Sequence, residues 1–216
     1  MRDYIIFTHG VYKTAHLRFY RKLCRSRFKI AVDGGIRFFL KTNISPNLLI
    51  GDLDSFKRVH VDLVRQTKVL TFPVQKDKTD LQLAFEYCLK EQAESIDIVL
   101  PSFGQPDHFL GNVMLVHLIN QRVKASSQPR IRFVNITHEI ILVQDSSETF
   151  VNCISDIVSV VPLSKFILLT CVGTEYDVRD AKIRRGQTWA LRNRIRSRRA
   201  TFDVKGRAFV IHRFSY

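Results

Sequence analysis

Aspartate-containing motifs follow several short apolar runs in the chain, and their residue types and spacing suit metal and phosphate chemistry. The motifs are Asp33-Gly34-Gly35, Gly51-Asp52-Leu53-Asp54-Ser55, Asp77-Lys78-Thr79-Asp80 and Asp107-His108. Asp52 and Asp54 lie two residues apart in a predicted turn, where their carboxylates can point to one side and share a hard cation. Mg²⁺ takes such oxygens and keeps water and substrate phosphates as its other ligands. The motifs therefore indicate a magnesium site beside a phosphorylated ligand.

Purely structural explanations compete with this chemistry. Asp54 or Ser55 would cap a helix that follows the second motif, and the third motif offers a helix cap as well. The two glycines after Asp33 suit a tight turn, although they would also let a nucleotide approach bare backbone N–H groups. Asp107 is explained equally well as a helix cap or as a partner of a ring nitrogen. Because three separate strand ends carry carboxylates, we favour the metal site over caps alone.

The elements that must position these motifs follow a strand–turn–helix order. Short apolar runs predict strands at 4–7, 29–32, 47–50, 69–72 and 96–100. Two helical faces are predicted between and after the last runs, one formed by Leu81, Ala84, Phe85, Cys88 and Leu89 and the other by Leu110, Val113, Met114 and Leu118. This order is typical of a Rossmann-like parallel α/β sheet, in which ligands bind beyond the carboxyl ends of the strands. We assign this domain to residues 1–145.

The last third of the chain has a different pattern. Its apolar runs are short and separated by turn residues, at 149–153, 157–161, 166–171, 188–191, 200–204 and 208–212. Little room is left for helices, so a small antiparallel β-sandwich is predicted over residues 146–216. The predicted boundary lies near the polar residues 144–147.

The composition is that of a folded globular protein, with 45% hydrophobic residues and a formal net charge of +14. Most of the excess positive charge lies in residues 179–213. Such basicity favours an acidic partner, such as nucleic acid, an anionic membrane or a phosphorylated ligand. A solvated charged face is the commoner explanation, and the arginine-rich run 192–199 contains no aromatic residue that could stack on bases.

The chain offers no sign of export or of membrane insertion. No signal peptide and no apolar run of about 18 residues is visible, so a cytoplasmic protein is expected. The four cysteines form no CxxC pair and are expected to be buried free thiols. No Walker A motif and no nucleophile elbow is present, which argues against a P-loop nucleotidase and an α/β-hydrolase.

The ordered motifs resemble those of one family, the thiamine pyrophosphokinases of the bacterial type. The resemblance rests on DGG at Asp33, PNLLIGDLDS at 46–55, KDKTDLQLA at 76–84 and DHFLGN at 107–112. Weaker similarities follow in the last third, in VSVVPLS at 158–164, in Gly173-Thr174-Glu175-Tyr176 and at Asn193.

The resemblance implies an enzyme that transfers pyrophosphate from ATP to the hydroxyethyl group of thiamine and releases AMP. It implies Mg²⁺ bound by Asp52, Asp54 and Asp80, with Asp77 close by and either Asp77 or Asp80 as acceptor of the hydroxyl proton. The expected nucleotide-binding residues are Thr8, His9, Gly10, Asp33, Gly34, Gly35, Gly51, Lys78 and Thr79. The expected thiamine-binding residues are Asp107, His108, Tyr176, Arg192 and Asn193. A homodimer with active sites at the subunit interface is expected as well, with the β domain contributing to substrate binding and dimerisation.

The chain departs from the family pattern at four positions, one of which is Phe103 in place of the first glycine of a pair. Gln105 stands where the family has an arginine, and Arg192 and Arg194 flank Asn193 where the family has serine and glutamate. A bidentate partner for a phosphate or carboxylate is therefore missing at Gln105. These departures favour, as one alternative, a pyrophosphokinase acting on another heteroaromatic alcohol, such as a hydroxymethyl pterin. The basic segment 179–213 favours another, a nucleic-acid-binding protein on an inactive scaffold.

Overall fold

The computed structural model describes residues 2–51, 67–72, 77–102, 104–119 and 128–215. The chain divides into two compact units, residues 1–136 and 137–216. The predicted boundary at 145/146 instead falls inside a strand, His138–Val151. Polar residues 144–148 look like a linker in the sequence, but they are paired within the second unit.

Unit 1 contains a parallel sheet with helices in the connections. Its described strands are β1 (Asp3–Phe7), β2 (Phe28–Val32), β3 (Leu48–Gly51), β4 (Lys68–Thr71), β5 (Ser95–Val99) and β6 (Arg130–Val134). The helices described are α1 (Leu17–Leu23), α2 (Ile36–Thr42), α3 (Asp80–Lys90) and α4 (Pro106–Met114), with 3₁₀ turns at Thr14–His16, Asp33–Gly35 and Leu115–Leu118. The strand order is β4-β3-β2-β1-β5-β6, and every pair is parallel. None of the described helices is long and apolar enough to cross a bilayer.

Helix α3 forms as its sequence predicts. Thr79 is the N-cap, and its hydroxyl accepts a hydrogen bond of 3.1 Å from the backbone N–H of Gln82. The predicted apolar face is buried in full, at Leu81, Ala84, Phe85, Cys88 and Leu89. The helix therefore packs on the sheet with its first turn fixed at the carboxyl edge of the strands.

The predicted apolar face after Asp107 is only partly correct. Val113 is buried, but Leu110 and Met114 are exposed. Helix α4 ends at Met114, and the chain continues as a 3₁₀ turn that buries Val116. The tighter turn changes the angular spacing of the side chains, so a single helical period does not describe the whole segment.

Aromatic side chains hold the carboxyl end of β1 in place. The Phe7 ring stacks on Phe38 with centroids 4.1 Å apart, and Tyr12, Tyr20 and Phe39 surround the pair. All five are at most 1% exposed. This cluster fixes where the loop after β1 begins.

Substitution of Gly35 is expected to destabilise unit 1. A Cβ at this position would lie 1.9 Å from the carbonyl oxygen of Phe7, which is backbone in the central strand and cannot turn away. Gly35→Ala should cost about 3 kcal/mol of unfolding free energy, measured by urea denaturation. Gly111→Ala is the matched control, since a Cβ there meets nothing within 4 Å and should stabilise α4 by about 0.5–1 kcal/mol. Equal effects from the two substitutions would contradict the packing described for Gly35.

Unit 2 is an antiparallel β unit around its own apolar core. Its strands are β7 (His138–Val151), β8 (Ile157–Pro162), β9 (Phe166–Val172), β10 (Val178–Arg184), β11 (Asn193–Arg194) and β12 (Arg199–Arg213). Strand β12 pairs with β7 along nearly its whole length, with β9 through residues 201–205 and with β8 through residues 208–213. Side chains from β7, β8, β9, β10 and β12 share one buried cluster.

Two predictions about strands in this unit are wrong. The runs 200–204 and 208–212 form one strand, because a bulge at Gly206 carries the chain through at a φ of +102°. Asp145 on β7 stabilises the bulge by accepting a hydrogen bond of 2.7 Å from the Gly206 N–H. Residues 188–191 form a turn rather than a strand, although Ala190 is buried.

Candidate active site

A cavity of about 770 Å³ opens at the carboxyl edge of the unit 1 sheet. It lies at the ends of β1 and β5, where the strand order reverses, which is the usual ligand position in such sheets. The lining residues are Thr8, His9, Gly10, Val32, Asp33, Asp77, Lys78, Thr79, Asp80, Leu81, Leu100, Ser102, Gly104, Gln105, His108, Phe109 and Asn112. Four aspartate-containing motifs were predicted at strand ends; three of them contribute residues to this cavity wall.

Hydrogen bonds fix the loop after β1, one to β5 and one within the loop itself. The Thr8 hydroxyl donates to the carbonyl oxygen of Val99 on β5 at 2.8 Å. The Tyr12 hydroxyl donates to the carbonyl oxygen of Thr8 at 2.7 Å, and burial raises the pKa of this phenol. These bonds hold His9 and Gly10 at the cavity in one backbone conformation.

Asp33 occupies a strained position at the end of β2. Its φ is +46°, a left-handed conformation that costs a non-glycine residue about 1 kcal/mol or more. The carboxylate is packed against Gly51, because a Cβ at that residue would lie 2.6 Å from Asp33 Oδ1. Strain of this kind is concentrated at functional sites, where it fixes the direction of a side chain.

The glycines after Asp33 make room for protein atoms. A Cβ at Gly34 would lie 2.2 Å from the His9 ring, and one at Gly35 would meet the Phe7 carbonyl. Neither glycine is among the described residues that line the cavity. The small size of Gly34 therefore makes room for the His9 ring, and that of Gly35 lets the turn pack on the end of β1. Direct contact of these glycines with a nucleotide stays a prediction.

The segment before α3 brings two carboxylates and one cation to the cavity. Asp77 and Asp80 both line it, and Asp80 lies in the first turn of the 11-residue helix. Lys78 lines the cavity as well, and its ammonium group is bound to Glu86 at 2.9 Å. The side-chain amide of Gln82 donates to the other Glu86 oxygen, so the cation is held in place. The positive end of the helix dipole faces the same site and favours a bound anion.

One face of α4 closes the cavity on the other side of β1. Gln105, His108, Phe109 and Asn112 line it, at helical spacings of three and four residues. Phe109 and Asn112 are lining residues that the sequence motifs do not assign, although their spacing from His108 places all three on one face. Asp107 instead accepts a hydrogen bond of 2.8 Å from the backbone N–H of His108 and is not among the described lining residues.

The predicted residues of the second domain form a separate group within unit 2. The Asn193 side chain accepts from the Tyr176 N–H at 3.1 Å and donates to the Tyr176 carbonyl at 2.8 Å. These bonds fix the turn that carries the Tyr176 ring, which is 68% exposed. Arg192 is also exposed, with a φ of +61° and its N–H bound to the Ser159 hydroxyl. Arg194 and Arg196 both face Glu175, so part of the basic segment is paired within the unit.

Two predicted metal ligands, Asp52 and Asp54, lie outside the described residues. Gly51, which precedes them, ends β3 directly beside Asp33. Of the described residues, Asp33, Asp77 and Asp80 supply carboxylates to the cavity wall. A set of oxygen donors without sulfur suits Mg²⁺ rather than a softer metal.

Known proteins with similar sequences share one activity in their names. Residues 19–126 match the family model described as the thiamin pyrophosphokinase catalytic domain. The thiamine pyrophosphokinase of Bacillus subtilis is 29% identical to the chain over an alignment of 185 residues, and the match covers 81% of this chain and 81% of that protein.

Solved structures of related proteins share the fold. The crystal structure of thiamine pyrophosphokinase from Bacillus subtilis superposes with a TM-score of 0.82 at 24% identity, covering 99% of this chain and all of the other. The thiamin pyrophosphokinase of Candida albicans gives a TM-score of 0.75 at 14% identity, with 99% and 89% coverage. The predicted fold class, an α/β domain followed by an antiparallel β domain, is confirmed.

Proposed function

We propose, from the premise that the chain belongs to the thiamin pyrophosphokinase family, that it transfers the pyrophosphate group of ATP to thiamine and releases AMP. The match of residues 19–126 to the catalytic-domain model carries this proposal, because that range contains the aspartate motifs at Asp33, Asp52, Asp77 and Asp107. Thiamine diphosphate is the other product.

ATP binding is assigned to the cavity at the carboxyl edge of the unit 1 sheet. The loop Thr8-His9-Gly10 and Asp33 would contact the nucleoside, and the first turn of α3 would receive the phosphates. Support comes from the position of this cavity at the reversal of strand order and from the helix dipole. Lys78 adds a cation that Glu86 holds in position.

Mg²⁺ would be held by Asp52, Asp54 and Asp80, with Asp77 beside them. When bound, the ion neutralises phosphate charge and aligns the phosphates for in-line displacement. The chain itself then has to position the thiamine hydroxyl and take its proton. Asp77 and Asp80 are the candidate acceptors, because both carboxylates border the cavity. Transfer of this kind depends on positioning and charge stabilisation more than on covalent chemistry.

The reaction is tested by incubating the protein with ATP, Mg²⁺ and thiamine. AMP should appear by chromatography and thiamine diphosphate by mass spectrometry, and the Asp52→Asn variant should produce neither. A hydroxymethyl pterin should give no AMP above background. Turnover of the pterin without turnover of thiamine would overturn the substrate assignment. The family match does not favour the nucleic-acid alternative. That alternative predicts that the protein changes the electrophoretic mobility of RNA or DNA and that this binding weakens steeply with salt.

Thiamine recognition is assigned to Asp107 and His108 together with Tyr176, Arg192 and Asn193. In a homodimer these groups would come together at a subunit interface. Each unit exposes apolar side chains of its own, such as Leu110 in unit 1 and Val172 in unit 2, and a dimer would cover some of them. Light scattering of the purified protein should give the mass of a dimer.

The Tyr176 ring is expected to contribute to thiamine binding and not to ATP binding. Tyr176→Ala should raise the KM for thiamine about 10-fold and leave the KM for ATP unchanged, while Tyr176→Phe should behave like the wild type. Phe166→Ala is the matched control, since Phe166 is another exposed aromatic residue of unit 2. Equal KM values for thiamine in Tyr176→Ala and the control would remove Tyr176 from the site.

A cytoplasmic location also belongs to the proposal. All four cysteines are free, and Cys24, Cys88 and Cys171 are buried. Reduced thiols are typical of proteins that work in a reducing compartment.

A further inference from the structure

Unit 2 contains a cluster of metal-ligating side chains that the proposed reaction does not use. Cys153, Asp156 and His212 place one potential ligand atom each within 4.8 Å of one another. Asp156 and His212 are buried, and Cys153 is partly exposed. Sulfur, nitrogen and oxygen donors in one group suit Zn²⁺, which is borderline in softness and accepts all three.

The backbone presents two of these ligands from one tight turn. Cys153 and Asp156 are three residues apart, and the Asp156 N–H donates to the Cys153 carbonyl at 3.1 Å. Asn152 and Ser155 adopt positive φ values of 59° and 77°, which reverse the chain within this short segment. Ligand pairs with two intervening residues in a turn are the usual chelating arrangement of structural zinc sites.

The third ligand comes from the long strand β12 and is already oriented. His212 lies opposite Glu139 of β7 in the antiparallel register, and its Nδ1 is 2.9 Å from Glu139 Oε1. A carboxylate on one ring nitrogen fixes the imidazole so that the other nitrogen points to the metal, a common outer contact of zinc-bound histidine. Here the other nitrogen, Nε2, points to Asp156 Oδ2 at 2.7 Å.

The residues around Asp156 and His212 also suit a metal site whose ligands are held in place. The second Asp156 oxygen accepts from the backbone N–H of Ser215 at 2.7 Å and from the Ser215 hydroxyl. The rings of Phe150 and Phe214 pack against the imidazole with centroids 4.4 and 5.0 Å away. An apolar shell of this kind excludes water from the inner side, while the partly exposed Cys153 leaves an entry path.

Zinc binding would require only small movements of the three ligand atoms. Tetrahedral zinc would separate the histidine nitrogen and the carboxylate oxygen by about 3.3 Å, and the sulfur from either by about 3.6 Å. The nitrogen–oxygen pair at 2.7 Å must therefore open slightly, and the sulfur must move inward from at most 4.8 Å. Rotation of the Cys153 side chain, whose thiol now donates to the Val151 carbonyl at 3.3 Å, supplies that movement.

His212 is held between two carboxylates, with Glu139 at Nδ1 and Asp156 at Nε2. The Cys153 sulfur lies within 4.8 Å of the ligand atoms of Asp156 and His212. A divalent cation placed among these three atoms would have three protein ligands. We propose that Cys153, Asp156 and His212 form a zinc site in unit 2, with Glu139 orienting the histidine and water as the fourth ligand.

Zinc binding is tested on chelator-treated full-length protein by calorimetry in excess Mg²⁺, which occupies any site made only of oxygen donors. One equivalent of Zn²⁺ should bind per chain, and Co²⁺ should give thiolate-to-metal absorption. Cys153→Ser should weaken zinc binding at least about 100-fold and abolish that absorption, and Glu139→Gln should weaken binding about 10-fold. Cys24→Ser, which alters a buried thiol of unit 1, should change neither property.

Two further measurements keep the result interpretable. Metal-free Cys153→Ser should show the wild-type circular dichroism spectrum, so that lost binding is not lost folding. Asp80→Asn should retain zinc binding, because Asp80 belongs to unit 1 and the cluster belongs to unit 2. Zinc binding is measured without turnover, so a failure of the proposed reaction would leave this result unaffected. Absence of zinc binding by the wild type at micromolar concentration, or equal affinity of wild type and Cys153→Ser, would overturn the proposal.

Discussion

Asp80→Asn is expected to lower kcat for AMP release by about 100-fold or more while the protein stays folded. Asp80 lines the cavity from the first turn of α3, at the place proposed for a metal-bound polyphosphate. Removing one preorganised charge from such a site costs about 100- to 1,000-fold in rate. The same charge stabilises the helix by only about 0.3–1 kcal/mol, so the fold should survive.

The control for this prediction is Asp180→Asn. Asp180 is an exposed aspartate of unit 2 that pairs with Lys205 at 3.2 Å. Steady-state rates of AMP formation should be unchanged in this variant. If Asp80→Asn retained more than about a tenth of the wild-type kcat at saturating Mg²⁺, Asp80 would be neither a metal ligand nor the proton acceptor.

Asp97→Asn is expected to destabilise unit 1 by about 3 kcal/mol. Asp97 is 1% exposed on β5, and its carboxylate pairs with both Arg27 and Arg132, with Arg132 Nε donating to Oδ1 at 3.1 Å. Loss of one partner from a buried ion pair typically costs about 3–5 kcal/mol, because the remaining charges stay desolvated. Each arginine retains some solvent contact, so we expect the lower end of that range.

Urea denaturation followed by circular dichroism at the helical wavelength measures this loss, since the α-helices of the described residues lie in unit 1. Asp180→Asn again serves as the control, because its exposed ion pair should contribute less than about 1 kcal/mol. Amide exchange in β5 and β6 should accelerate selectively in Asp97→Asn. A midpoint shift no larger than that of the control would show that the three groups are not a buried cluster.

The parts of the fold that could be predicted from the sequence are those in which one apolar period continues without interruption. Helix α3 has five buried residues at helical spacing and a threonine cap, so pattern and structure agree. Strands β1, β2 and β5 are short apolar runs in a sheet covered on both faces, which is a simple local pattern.

Unit 2 could be predicted less completely, because its strands mix polar and apolar residues. Residues 144–148 are hydrophilic, yet Ser147 pairs with Asp203 across β7 and β12 and its hydroxyl donates to that carboxylate at 2.6 Å. Strand β10 is highly charged and lies at an edge of the unit, so no alternation marks it. Such strands are stabilised by pairing with strands that are distant in the sequence, and this pairing cannot be inferred from the local residue pattern.

The candidate site was predictable to the extent that glycine and aspartate mark strand ends. Asp33 follows β2, whereas Asp77 and Asp80 lie directly before and in the first turn of α3, and the parallel topology brings these two segments to one cavity. Phe109 and Asn112 were not assigned, because an aromatic or amide side chain on a helix carries no chemical signal of its own. Which side of α4 faces the cavity is determined by tertiary packing rather than by residue type.

The pairing of β12 has a consequence for the order in which the chain is built. During synthesis unit 1 can fold once residue 136 has emerged, because its described strands are then complete. Unit 2 cannot follow the same course, since β7, β8 and β9 each pair with β12, the last of its strands to be translated. Until β12 is made, β7, β8 and β9 each have one unpaired edge that can associate with other chains. Translation that stops before residue 199 would leave those edges open permanently and mark the product for aggregation or degradation, even though unit 1 had already folded.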